Sequence, residues 1–160
     1  MNQFSQFQEA LKLNKIDESS FSINPDSRYF VGKTPHGGYL QALMHKALIA
    51  VVPHATAISA SVQYLDRIDA DDITLKVEVF KVSRGSSSGL VKAIQNNKVC
   101  AVFSGTCSDF EHMKGYSGLE TSLPNIYQHS DIKEYVEMNY DKISKGFTPN
   151  FIKQLKCLIH

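Results

Sequence analysis

Thr34-Pro35-His36-Gly37-Gly38-Tyr39-Leu40-Gln41-Ala42-Leu43 joins an imidazole and a glycine pair to an apolar helical run that lasts to Val52. Glycines carry no Cβ, so their backbone can approach a ligand closely. A helix that starts there directs its first unbonded N–H groups, and the positive end of its dipole, at the same spot. A carbonyl oxygen that gains negative charge during acyl transfer is one group such a helix start could hold. The glycine pair equally suits a helix packed tightly against a sheet, and the residues alone leave both readings open. His36, through its ring, Gly37 and Gly38, through their amides, and Gln41, as a group that orients a water, are the first catalytic candidates. His45 titrates near neutrality and could act as a base, although between Met44 and Lys46 it also suits a helix edge or an interface.

The surrounding periodicities say what must position these groups. Phe4, Phe7 and Leu11 stand at helical spacing, which predicts a short amphipathic helix over residues 3–13. Phe21 and Ile23 alternate with serines as a short strand, and Asn24-Pro25-Asp26 makes a turn. The central helix has Leu40, Leu43, Ala47, Leu48 and Val51 on one face and Ala42, Ile49 and Val52 on the other. It is therefore expected to be buried on nearly all sides and to end at Pro53.

From Ala57 onward the period becomes two. Ile58, Ala60, Val62 and Tyr64 form one inward-facing set, and Ile73, Leu75, Val77 and Val79 a second. Leu90 to Gln95 and Lys98 to Cys107 complete four strands. Asp69-Ala70-Asp71-Asp72, Arg84-Gly85-Ser86-Ser87-Ser88 and Asn96-Asn97 are the turns, the last a tight hairpin signal. Four hairpin-linked strands preceded by one buried helix predict an α+β fold, an antiparallel sheet wrapped around one long central helix.

Composition narrows the partners. The 160 residues are 42% hydrophobic, enough for one domain with a core. A formal charge of +1 gives no basic footprint for nucleic acid. Cys100, Cys107 and Cys157 are an odd set without metal-ligand spacing and read as thiols in a reducing compartment. Residues 1–30 show no secretory pattern, and the longest apolar run, Ala47 to Pro53, is too short to cross a bilayer. A cytoplasmic protein without metal or cofactor is expected. Asp66 and Asp109, the acids nearest strand ends, are expected at the surface.

The order of these segments resembles the hotdog fold, and more narrowly the first repeat of the acyl-CoA thioesterase II family, whose members carry two such repeats in one chain. Pro35-His36-Gly37-Gly38-Tyr39-Leu40 followed by Ala42-Leu43 is similar to that family's helix entry. Val62-Gln63-Tyr64-Leu65-Asp66-Arg67 resembles its "aromatic, Leu, x, Pro" strand end, with Ile68 and no proline here. Val79-Phe80-Lys81-Val82-Ser83-Arg84-Gly85-Ser86-Ser87 resembles its Arg-Gly-x-Ser turn, and Ala93-Ile94-Gln95-Asn96-Asn97-Lys98-Val99 its next hairpin. The resemblance covers about residues 20–110. It implies a hotdog domain over 1–110, a linker with a short helix over 111–150, and over 151–160 the opening strand of a missing second repeat.

The resemblance also implies an acyl-CoA substrate, a homodimer through the sheets, and hydrolysis by water with an acidic residue as base or nucleophile. In one-repeat relatives that acid stands nine residues after the histidine, where this chain has His45; no Asp or Glu occurs from Tyr39 to Val52. In two-repeat relatives the acid lies in the second repeat. Tyr39 is an expected substrate-binding position and Tyr64 and Leu65 expected acyl-lining ones, with alternation alone already placing Tyr64 in the core, and Arg84 with Ser86 could meet the phosphates of coenzyme A. The alternative is a catalytically incomplete acyl-CoA-binding or structural module that needs a partner repeat. A hotdog hydratase is disfavoured because Asp26-Ser27 interrupts the motif that Asn24-Pro25 begins.

Overall fold

The computed structural model describes residues 3–109 together with residues 111, 115 and 118. Helix α1 (Gln3–Ala10) leads into strands β1 (Asn14–Lys15) and β2 (Ser20–Ile23), a 3₁₀ turn over Ser27–Tyr29, and the small hairpin β3 (Phe30–Val31) and β4 (Thr34–Pro35). Helix α2 (Gly37–Ile49) is followed by β5 (Thr56–Tyr64), β6 (Ile73–Val82), β7 (Ser86–Gln95) and β8 (Lys98–Ser108). Six strands form one antiparallel sheet in the order β1-β2-β6-β7-β8-β5, and α2 packs on β6, β7 and β8. This is the sheet-around-helix arrangement expected from the periodicities.

The burial of α2 follows from its composition. Tyr39, Leu40, Leu43, Met44, Ala47 and Leu48 are buried, while Gly38 and Lys46 are exposed. The glycine pair lies inside the first turn of the helix rather than ahead of it, and the helix stops at Ile49, short of Pro53. Pro53 has no N–H to give the Ile49 carbonyl four residues back, so the ladder cannot continue and the last turn closes with Val52 N–H on the Leu48 carbonyl. Two strand glycines let α2 sit close to the sheet. A Cβ on Gly89 would lie 2.8 Å from Leu48 Cδ1, and one on Gly105 would lie 3.1 Å from Leu48 Cδ2.

Strand β7 alternates strictly, with Ser87, Gly89, Val91, Ala93 and Gln95 on the helix side. It begins at Ser86, so the serines expected in a turn are part of the strand and only residues 83–85 make the bend. Asn96 and Asn97 have φ of 52° and 60°, the positive values a two-residue primed turn demands. Buried Gln95 accepts from Asp69 N–H and donates to the Asp69 and Asp71 carbonyls, which fixes the loop before β6.

Strand β5 departs from the reading of its alternation. Ile58 and Tyr64 are 49% and 51% exposed, and only Val62 packs against the core. Alternation reports which side chains share a face; whether anything covers that face depends on position in the sheet. Here β5 is the outer strand, beyond the three that α2 covers, and it carries a bulge between Ala57 and Ser59. The linker and second-repeat strand expected over 111–150 and 151–160 lie outside the described residues, apart from residues 111, 115 and 118, as does Cys157.

Candidate functional site

The head of α2 is built from three elements. The β3–β4 hairpin delivers His36, whose own N–H donates to the Tyr29 carbonyl at 2.8 Å. His36 is the N-cap residue, and its Nδ1 accepts the Gly38 N–H at 3.1 Å. An imidazole nitrogen thus takes the role usually filled by a Ser or Asp oxygen. From β5, the Tyr64 hydroxyl donates to the Gly37 carbonyl at 2.6 Å. The N–H of Leu40 goes to the His36 carbonyl at 3.0 Å. Among the described residues this leaves the N–H groups of Gly37 and Tyr39 without hydrogen-bond partners, at the positive end of a 13-residue helix. Gly38, the other amide named from the sequence, is occupied by the His36 ring.

The structure brings His36, Gly37, Gly38 and Tyr64 together, with half-buried Gln41 one turn into the helix. Tyr39 points elsewhere. Its ring stacks on Tyr29 at 4.9 Å, and its hydroxyl donates to the Ala10 carbonyl and accepts the Asp26 N–H. Burial pushes its pKa up to about 12, so it holds α1 and the 3₁₀ turn onto α2 as a neutral phenol. Leu65 is 58% exposed just past β5, where its N–H and that of Asp66 both donate to the Cys100 carbonyl.

His45 lies eight residues along α2 from Gly37, roughly 12 Å along the axis. Its Nε2 is 3.8 Å from Cys107 Sγ and its ring 5.9 Å from that of Phe103. Burial lowers the imidazole pKa and raises that of the thiol, so both are held neutral. Arg84 and Ser86 stand at the opposite end of the sheet. Tyr64 pairs with Ala101, whereas Ser87 pairs with Cys107, six residues further along β8 and roughly 20 Å away. Asp66 is exposed and ion-paired with Lys98, which holds its carboxyl below the usual range.

His54 was not singled out from the sequence. It is buried, with Nε2 3.3 Å from the Arg84 carbonyl and Nδ1 2.7 Å from Ser87 Oγ. A carbonyl only accepts, so Nε2 carries a proton, and in the neutral ring Nδ1 accepts from Ser87 Oγ. Ser108 adds a hydrogen bond to the Gly85 carbonyl, completing the anchorage of the 83–85 bend. A histidine straight after a helix-ending proline was the available signal, but its partners lie 30 or more residues away.

A profile of the acyl-CoA thioesterase N-terminal domain matches residues 25–108, from the turn before the 3₁₀ segment to the end of β8. The chain belongs to the acyl-CoA thioesterase N-terminal domain family. A putative thioesterase II from Thermobifida fusca superposes with a TM-score of 0.67 at 18% identity, over 80% of this chain and 47% of that one. Acyl-CoA thioesterase II TesB2 from Mycobacterium marinum gives 0.64 at 16% identity, over 81% of this chain and 47% of that one. A phenylacetic acid degradation protein PaaI from Thermus thermophilus gives 0.53 at 23% identity, covering 66% of this chain and 99% of the other. A solved neighbour from Alicyclobacillus acidocaldarius is described as having the hot dog fold. These likenesses establish the fold. The chain spans about half the length of the thioesterase II structures it matches. No curated protein sequence matches it significantly. The matched span runs across the whole α2 entry, so the glycine turn lies within it.

Proposed function

We propose that this thioesterase-family domain receives an acyl-CoA thioester at the head of α2 and that hydrolysis follows with a base supplied by a second hotdog unit. The observation that carries the reading is the pair of N–H groups, on Gly37 and Tyr39, that have no partner among the described residues, at the start of a helix that contains no Asp or Glu. Attack on a thioester moves negative charge onto the carbonyl oxygen. Fixed donors and the helix dipole stabilise that charge more than they stabilise the neutral carbonyl, which lowers the barrier. Water is the nucleophile and needs a base near it. Neutral His45, against Cys107 and roughly 12 Å from the turn, is poorly placed for that task.

The second unit is a second copy of this chain, or a second repeat, added along β5. That strand is exposed and, among the described residues, outermost, with an edge that antiparallel pairing would satisfy. Pairing about a two-fold axis sets the Tyr64 end of one β5 against the Thr56 end of the other, so new groups arrive beside the glycine turn. Arg84 and Ser86 are then candidates for the distal, phosphate-bearing end of the ligand. The free buried thiols Cys100 and Cys107 fit a cytoplasmic location.

A thiol-release assay over a panel of acyl-CoAs tests the reading. Turnover by the 160-residue chain, or by a form extended with a second repeat, is expected. Binding of acyl-CoA without turnover in either form would overturn the hydrolase reading. Sedimentation analysis at micromolar concentration tests the pairing, with dimer expected and a stable monomer contradicting it.

A further inference from the structure

We propose that Tyr64 is a positioning residue that, together with His36, fixes the plane of the Gly37–Gly38 peptide; this rests on the thioester-binding reading of the α2 head. The Gly37 carbonyl and the Gly38 N–H belong to one peptide group. Its carbonyl accepts from the Tyr64 hydroxyl at 2.6 Å, and its N–H donates to His36 Nδ1 at 3.1 Å. A glycine pair is the most freely rotating dipeptide available, and here it is held from both ends. The N–H groups on either side, those of Gly37 and Tyr39, take their directions from that plane.

The ring explains the glycine. Gly37 is not among the residues with positive φ, so its backbone alone does not demand glycine. A Cβ there would stand 2.9 Å from the Tyr64 hydroxyl oxygen and 3.0 Å from Cζ. Tyr64 in turn sits on a fixed base, because Leu65 and Asp66 both donate to the Cys100 carbonyl at 2.8 and 3.0 Å. Its burial raises the hydroxyl pKa, which keeps the group a donor through the neutral range. The side chain on the outermost strand therefore acts on the backbone of the cradle and not on an acyl chain.

Amide exchange by NMR on the full chain tests this. Tyr64→Phe keeps the ring and removes the hydrogen bond, so exchange at Leu40 and Gln41, in the first turn, is expected to quicken about fivefold. Exchange at Leu43 and Leu48, deeper in the helix, stays as in the unaltered protein. Equal change along the whole helix, or none, would overturn the proposal. As a second measure, Gly37→Ala is expected to lower the melting temperature less in a Tyr64→Leu background than in the native one; equal losses contradict the contact. In a form that hydrolyses acyl-CoA, Tyr64→Phe lowers kcat with KM little changed. A shifted exchange pattern with no turnover either in the native chain or in a form extended by a second repeat would refute the thioesterase reading and leave the positioning role standing.

Discussion

Tyr39 shows how one side chain holds three elements at the base of the site. Its hydroxyl serves the Ala10 carbonyl and the Asp26 N–H, and its ring lies 6.4 Å from Phe7 and 4.9 Å from Tyr29. Tyr39→Phe would leave two backbone groups without their partner and should cost about 1–3 kcal/mol in urea unfolding. His45 makes a pH-dependent contribution. Its folded pKa lies below the ordinary 6.5 because burial opposes the charge. Stability from this group is complete above about pH 6.5 and declines as pH falls through the folded value, since the unfolded chain binds the proton more readily. Thermal unfolding should therefore show a loss as pH falls below about 6.5 that His45→Gln reduces. Asp26, held low by Arg28, contributes in the same sense but in the more acidic carboxylate range.

At the scale of elements, the sheet is limited by what its turns and its helix contacts permit. The Asn96-Asn97 turn needs left-handed backbone twice, which Asn tolerates and a β-branched residue does not. Asn97→Val should cost about 1–2 kcal/mol, read as a lower denaturation midpoint with unchanged slope. Gly89 answers to packing instead. A methyl there would press on Leu48 at 2.8 Å and on the Glu78 carbonyl at 2.9 Å, and the backbone atom cannot swing aside. Gly89→Ala should destabilise by about 1–3 kcal/mol by the same measurement. Asn96-Asn97 was legible from sequence because a primed turn is local chemistry. The demand for glycine at 89 was not, since the atoms that impose it come from α2 and β6.

For the whole molecule the outer strand decides the behaviour. The protein has no strong net charge to keep copies apart, and β5, unpaired on its outer edge among the described residues, presents Ile58 and Tyr64 half exposed. Ile58→Lys places a charge on that edge without touching the core. On the proposed pairing along β5, it should shift sedimentation toward monomer and reduce acyl-CoA turnover while the melting profile of the domain persists. Among the described residues no helix is long and apolar enough to cross a membrane.

The sequence by itself determined the order of the helices and the longer strands, the β6–β7 and β7–β8 hairpins, the buried central helix and the position of the glycine turn at its head. Each is written in local periodicity or in turn residues, whose effects act within a few positions. Strand β5, read as hairpin-linked to β6, pairs with β8 instead. Tertiary structure alone decided which faces are covered and which polar groups are spent. It left most of β5 uncovered by α2, gave the Gly38 amide to His36, turned Tyr39 inward and set Tyr64 over Gly37. It also separated Arg84 from the glycine turn by the length of a strand. Such outcomes depend on contacts between residues far apart in the chain, and no spacing rule records them.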